Sequence, residues 1–178
     1  TVTEKQWGGA IELFGKKSYI IYVEITKIPN KILAKKTEKV AIKEIKNGSY
    51  KELILDMKKS MKENVGIGLA ANQINKDLSI FIIDEKLASE NNASDVFFNP
   101  EITEYSKNTD ELEEGCLSIP GYGANIKRSK KIKIKAIDDN GNKIKLKVRG
   151  FLARVLQHET DHLNGMTIKD RHSEISKS

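Results

Sequence analysis

From Tyr50 onward apolar residues recur at Leu53, Ile54, Met57, Met61 and Val65. These spacings set one stripe along a helix of about four turns, and Gly66 and Gly68 are expected to stop it. The period then changes to two. "LSIFIID" (78–84) is a short β-rich run ending in an acid, and "VFFNPEI" (96–102) reads as a second strand, broken at Pro100. Alternation is clearest in "KKIKIKAIDDNGNKIKLKVRG" (130–150). There Ile132, Ile134 and Ala136 take turns with lysines, Asn140-Gly141 supplies a turn, and Ile144, Leu146 and Val148 alternate again. A hairpin follows, with one buried face and one wet face coated with lysine. After Gly150 the helical period returns from about Phe151 to Leu163, and Leu152, Val155, Leu156, Glu159 and Leu163 share much of one face. Glu159 is an acid on or beside an apolar face, costly to bury unless something positive compensates it. Strands in mid-chain with two helices separated in sequence indicate an α+β fold rather than repeated βαβ units. The first 22 residues show no clean period, contain the Gly8-Gly9 pair and are left unassigned.

At 178 residues the chain has the length of one ordinary domain. The formal charge is +6, which suits a surface that meets a polyanion. Lysine greatly outnumbers arginine and is scattered from end to end, however, so the wet face of the hairpin accounts for much of it. A single cysteine, Cys116, excludes an intrachain disulfide and fits a reducing compartment. No apolar run approaches the roughly 20 residues that span a bilayer, and no basic head with an apolar core opens the chain. The chain reads as soluble and intracellular.

The candidate chemistry lies in "QHETDHLNG" (157–165). On a helix, His158 and His162 project from one side about a turn apart, near enough to hold one ion. Glu159, one residue round, is placed to reach a metal-bound water without ligating the metal. The same two histidines also occur in ordinary polar helices, so a third ligand decides between the readings. A longer zinc-peptidase pattern continues to a further histidine, but Ile168 stands there. Glu174 lies too near the chain end to return on a second helix, and His172 sits in a polar tail. Cys116 remains. By default a lone cysteine is a small buried apolar residue; as a thiolate it completes a two-histidine, one-cysteine set with a fourth position left for water.

Three segments taken together, "GIGLAANQ" (66–73), "EGCLS" (114–118) and "QHETDHLNG" (157–165), resemble the motifs of the peptide deformylase family in order and spacing. The likeness runs more loosely from Ile28-Pro29 to about Asp170. It implies a hydrolase that removes the N-formyl group from the initiator methionine of nascent proteins. The architecture it implies is α+β, with mixed, mostly antiparallel β-sheets packed around a central metal-binding helix and one additional long helix. Cys116, His158 and His162 would hold one divalent ion, Fe2+ in the cell, with Zn2+, Ni2+ or Co2+ as isolated. Glu159 would be the general acid/base, with the Gln73 amide and the Leu117 N–H holding the formyl oxygen. The substrate would bind as an added strand on the main chain at Ile67, Gly68 and Gly115, the three glycines Gly66, Gly68 and Gly115 letting its backbone approach. Its methionine side chain would enter an apolar pocket walled by Phe151, Arg154 and Val155, with the alkyl stem of Arg154 along the rim. Asp161 and Gln157 would support the ligands from outside, and Glu114 would orient the cysteine loop.

The expected divisions are an N-terminal extension over 1–27, a catalytic domain over 28–170 and a short polar tail over 171–178. Three departures from the family pattern stand out. Residues before Ile28 have no counterpart in the motif set. Gly123 stands where some members carry a substrate-contacting arginine, leaving that role to Tyr122 or to nothing. Only thirteen residues follow Gly165, too few for the long C-terminal helix by which some members dock on the ribosome. Expected partners are N-formyl-methionyl peptides and, transiently, the ribosome, with no membrane and no specific DNA binding. The expected location is a bacterial-type cytoplasm, an organelle or phage origin staying open. Two competing readings are a zinc endopeptidase that uses only His158, His162 and Glu159, and a basic RNA-binding module with structural histidines.

Overall fold

The computed structural model describes residues 11–13, 16–18 and 23–176. Two short antiparallel strands come first, β1 (Ile11–Leu13) and β2 (Lys16–Ser18). The remaining reading of residues 1–22 lies outside the described residues. Residues 23–27, placed by the sequence reading in the extension, run along the rest of the fold: Ile25 is buried, and the Thr26 N–H donates to the Gln73 carbonyl at 2.6 Å.

Helices α1 (Ile42–Lys46) and α2 (Lys51–Glu63) precede an antiparallel five-stranded sheet. Its strands are β3 (Gly68–Ala70), β4 (Ile80–Ile83), β5 (Val96–Tyr105), β8 (Lys131–Ile137) and β9 (Lys143–Arg149), in that spatial order. The short helix α3 (Glu85–Glu90) links β4 to β5. A separate two-stranded ribbon is made by β6 (Thr109–Gly115) and β7 (Gly123–Ser129). Helix α4 (Gly150–Leu163) and helix α5 (Ile168–Ser176) complete the chain. The latter runs across residues 170 and 171, so the polar stretch after Asp170 continues a helix.

All four residues of β4 are buried, because both faces of the sheet are covered. Ile80 and Ile82 join Met57, Met61 and Ile54 of α2 on one side, while Phe81 and Ile83 join Leu152 and Leu156 of α4 on the other. This is why "IFII" is a continuous apolar run where a one-sided strand would alternate. Strands β8 and β9 do alternate, with Ile132 opposite Val148 and Ile134 opposite Leu146. The lysine-coated hairpin therefore has the register its sequence predicts.

Two expectations need correction. First, β5 is not broken at Pro100. It passes through, with a register shift between Phe98 and Glu101 and Asn99 at φ 47. A proline cannot donate to a ladder and is tolerated at a bulge, and the Asn99 side chain pins this one by accepting from Val40 N–H and donating to Val40 O. Second, α2 stops at Glu63, before Gly66. The Asn64 side chain donates to the Ser60 carbonyl, Val65 takes φ 55, and Gly66 N–H closes on the Met61 carbonyl. Val65 consequently leaves the apolar stripe and is 89% exposed.

Candidate active site

Every residue of α4 from Leu152 to Leu163 is buried except His158, which is half-buried. Leu152, Val155, Leu156 and Leu163 face the sheet core. The polar residues Arg154, Gln157, Glu159, Asp161 and His162 are nevertheless buried as well. A second buried face of this kind requires partners, and the β6–β7 ribbon and the loop after Gly115 provide them.

Cys116 follows directly on β6. Its Sγ lies 3.2 Å from His162 Nε2, which in turn lies 3.2 Å from His158 Nε2, and one ligand atom from each of the three residues falls within 4.8 Å of the others. Donors on a tetrahedral ion with bonds of about 2.0–2.3 Å stand roughly 3.3–3.7 Å apart, so the trio has nearly the spacing of a ligand set. Neither His172 nor any other described residue belongs to it.

The surroundings favour positive charge at this point. Burial works against protonation of His158, but hydrogen bonds to Cys116 and Glu114 outweigh it and push its pKa up to about 10. His162 goes the other way, pulled well below the usual histidine range by burial and by the charge on His158. Burial raises Glu159 to about 7, against the pull of His158. A carboxyl group so poised takes up and gives back protons near neutrality. Its Oε2 is buried with no partner among the described residues.

Behind the ligands runs a ladder of alternating charges. Arg154 donates to Asp110 and, at 2.6 Å, to Glu114; Arg128 donates twice to Glu114 at 2.9 Å and also to Asp161; Arg171 donates to Asp161 as well, its Nε at 3.0 Å. From this ladder Glu114 Oε2 reaches His158 Nδ1 at 2.9 Å, which fixes the ring and leaves Nε2 to face the other two donors. Burial pushes Glu114 up, but the Arg128 guanidinium and His158 outweigh it and hold the carboxyl well below the usual carboxylate range. Glu114 thus does more than orient a loop. The guanidinium of Arg154 is likewise turned inward to Asp110 and Glu114.

Gln73 is buried in a 3₁₀ turn after β3. Its Oε1 accepts from Ala70 N–H at 3.0 Å and its Nε2 donates to Ser118 Oγ at 3.1 Å, with Cys116 Sγ 3.8 Å away. Its amide is therefore held with the NH2 group toward the cysteine loop. Asn72 Nδ2 donates to the His162 carbonyl at 2.6 Å. A cavity of about 1500 Å³ opens over these groups. Ile67, Gly68, Gly115, Leu117, Phe151, Arg154 and Val155 all line it, together with Gln73, Cys116, His158 and Glu159. Ile67 and Phe151 are exposed apolar side chains there, as suits a site for an apolar group.

The three glycines divide by role. A Cβ on Gly68 would lie 2.3 Å from Glu159 Oε1, and one on Gly66 would lie 2.9 Å from Leu117 Cδ1, whereas Gly115 has nothing within 4 Å. Only Gly115 faces open space; Gly68 makes room for the carboxyl group of Glu159.

Sequence reasoning missed Arg128, Asp110, Ser118 and Asn72. For Arg128 a signal existed. It follows Ala124 and Ile126 on the inward-facing positions of β7, where a charge demands a buried partner. It is also one of only four arginines, Arg128, Arg149, Arg154 and Arg171, three of which sit in the ladder.

An α+β fold with two histidines and a cysteine around one point, beside a buried carboxyl group, defines the class of mononuclear metal-dependent hydrolases. The family model described as Polypeptide deformylase matches residues 22–178. The chain is 40% identical over 155 residues to the peptide deformylase of Thermodesulfovibrio yellowstonii, covering 87% of this chain and 92% of that one. It is 50% identical over 125 residues to peptide deformylase 1 of Clostridium perfringens, covering 70% and 82%. A crystal structure of the Acinetobacter baumannii class I type b peptide deformylase superposes with a TM-score of 0.79 at 33% identity, covering 85% of this chain and 99% of that one. The Thermotoga maritima peptide deformylase does so with 0.75 at 36% identity, covering 84% and 96%. The chain belongs to the peptide deformylase family, metal-dependent enzymes that remove the N-formyl group from the initiator methionine of nascent proteins. No helix among the described residues is long and apolar enough to cross a membrane.

Proposed function

We propose that this chain deformylates N-formyl-methionyl peptides with Cys116, His158 and His162 as metal ligands and Glu159 as general acid/base. The observation that carries the assignment is the meeting of three donor atoms within 4.8 Å beside a buried, unpartnered Glu159 Oε2, on a cavity wide enough for a peptide. A divalent ion bound by the trio, ferrous iron in the cell, supplies Lewis acidity to water and to the formyl carbonyl. Zn2+, Ni2+ or Co2+ would occupy the same ligands in isolated protein.

The protein's own groups do the rest. Glu159 takes a proton from water as the oxygen adds to the formyl carbon, and delivers it to the methionine nitrogen as the C–N bond breaks, releasing formate and a free amine. Gln73 Nε2 and the Leu117 N–H donate to the formyl oxygen while it carries negative charge. β3 is an edge of its sheet, and the main chain at Gly68 and at Ile67 just before it, with Gly115 on the same cavity, offers pairing to an extended peptide. Phe151, Val155 and the stem of Arg154 wall the methionine pocket. Residues 28–170 carry this machinery; transient contact with the ribosome and a bacterial-type cytoplasmic location belong to the same reading.

Formate release from formyl-Met-Ala-Ser by protein prepared anaerobically with ferrous iron tests it. Wild type is expected to turn over, Cys116→Ser to lose both metal and activity, and Glu159→Ala to keep the metal and lose turnover. Metal loss in Glu159→Ala would make that residue a ligand and overturn its role.

A further inference from the structure

The outer wall of the cavity carries a charge opposite to that of the protein. The chain is +6 overall, yet among the described residues Glu24, Glu63 and Glu113 line the cavity around the candidate metal site, against Lys27, since the charge of Arg154 is spent on Asp110 and Glu114. Of the three, Glu113 is placed most definitely. In the β6–β7 ribbon Gly115 pairs with Gly123, and Glu113 lies diagonally across from Gly123 on the same face. A Cβ on Gly123 would stand 2.6 Å from Glu113 Oε1. The missing side chain is thus the seat of the carboxylate, which leans over the ribbon onto Gly123, the partner of Gly115. Among the described residues no lysine or arginine pairs with Glu113, whereas its neighbours Asp110 and Glu114 are both taken up by arginines.

We infer that Glu113, seated on Gly123, is a specificity-determining residue that selects a lysine or arginine in one of the two residues following the formyl-methionine. The inference rests on the deformylase reading. A peptide pairing with Gly115 carries its next side chains past this carboxylate, and an ammonium or guanidinium group there finds a counter-charge that no lysine or arginine among the described residues occupies. Because Glu113 is solvent-exposed, the gain is that of a surface ion pair, about two- to fivefold in kcat/KM at low salt and less at high salt.

The test compares kcat/KM for formyl-Met-Lys-Ser, formyl-Met-Ala-Ser, formyl-Met-Glu-Ser, formyl-Met-Ala-Lys and formyl-Met-Ala-Glu. Wild type should prefer the basic peptides in at least one position, with the preference fading as salt is added. Glu113→Gln should level the set, and Glu113→Lys should reverse its order. Gly123→Ala, which keeps the charge but unseats it, should level the set too. Equal rates for wild type, or a basic preference that survives in Glu113→Gln, overturn this inference alone. No formate from any peptide overturns the deformylase reading and this one with it.

Discussion

Glu159 is held by what Gly68 lacks. With a Cβ only 2.3 Å from Oε1 and 2.7 Å from the carboxyl carbon, Gly68→Ala cannot be accepted without moving the acid. A displacement near 1 Å at a reacting group costs on the order of a hundredfold in rate. Gly68→Ala is therefore expected to lower kcat by about that factor with metal content unchanged, which turnover and metal analysis of one preparation will check. Glu114 supports a different prediction. Its folded pKa lies below the ordinary carboxylate value, so its contribution is fully present above about pH 4.3 and is lost as pH falls toward the folded value. In metal-free protein, Glu114→Gln should cost about 3–5 kcal/mol near neutrality, because Arg128 and Arg154 lose a buried partner. It should also flatten the fall of Tm between about pH 5 and 3; an unchanged slope would assign that fall to other carboxylates. Cys116, His158, Glu159 and His162 were legible in the sequence because each belongs to a short run with its own chemistry. Arg128 and Asp110 were not, since nothing near them in sequence names their partners.

Elements were legible where one face is wet. The β8–β9 hairpin shows itself through strict alternation with lysine, and α4 through its apolar stripe. The β6–β7 ribbon hid because the inward residue of β6 is Glu114 while Leu112 is 52% exposed, reversing the usual code. The end of α2 hid because asparagine and a β-branched residue perform a turn for which glycine is the usual choice. Val65 at φ 55 holds a conformation that disfavours its branched Cβ by about 1–2 kcal/mol. Asparagine tolerates that region without glycine's entropic cost. Val65→Asn is expected to stabilise the protein by about 1 kcal/mol, or roughly 2–4 °C in Tm. Thermal unfolding that moves downward would mean that Val65 is held by packing its exposure does not reveal.

At the scale of the molecule, α4 is shared property: its apolar face completes the sheet core, and its polar face completes the ligand set and the ladder. Metal held by Cys116, His158 and His162, as proposed, would therefore be coupled to the packing of the whole chain. Stripping the metal with a chelator should abolish formate release and lower Tm, and restoring divalent ion should recover both. Ion at a thousand times its Kd corresponds to about 4 kcal/mol, and an unchanged Tm would place the ion outside the folded framework. The α+β class was readable from the order of periods along the chain. The ladder was not, because Asp110, Glu114, Arg128, Arg154, Asp161 and Arg171 come from four elements, β6, β7, α4 and α5. Those six charges alternate, so replacing any one with a neutral residue takes a counter-charge from its neighbour in the ladder. Substitutions here are expected to be better tolerated in compensating pairs than singly. An engineer who wishes to retune the histidines therefore has to redesign the ladder as one.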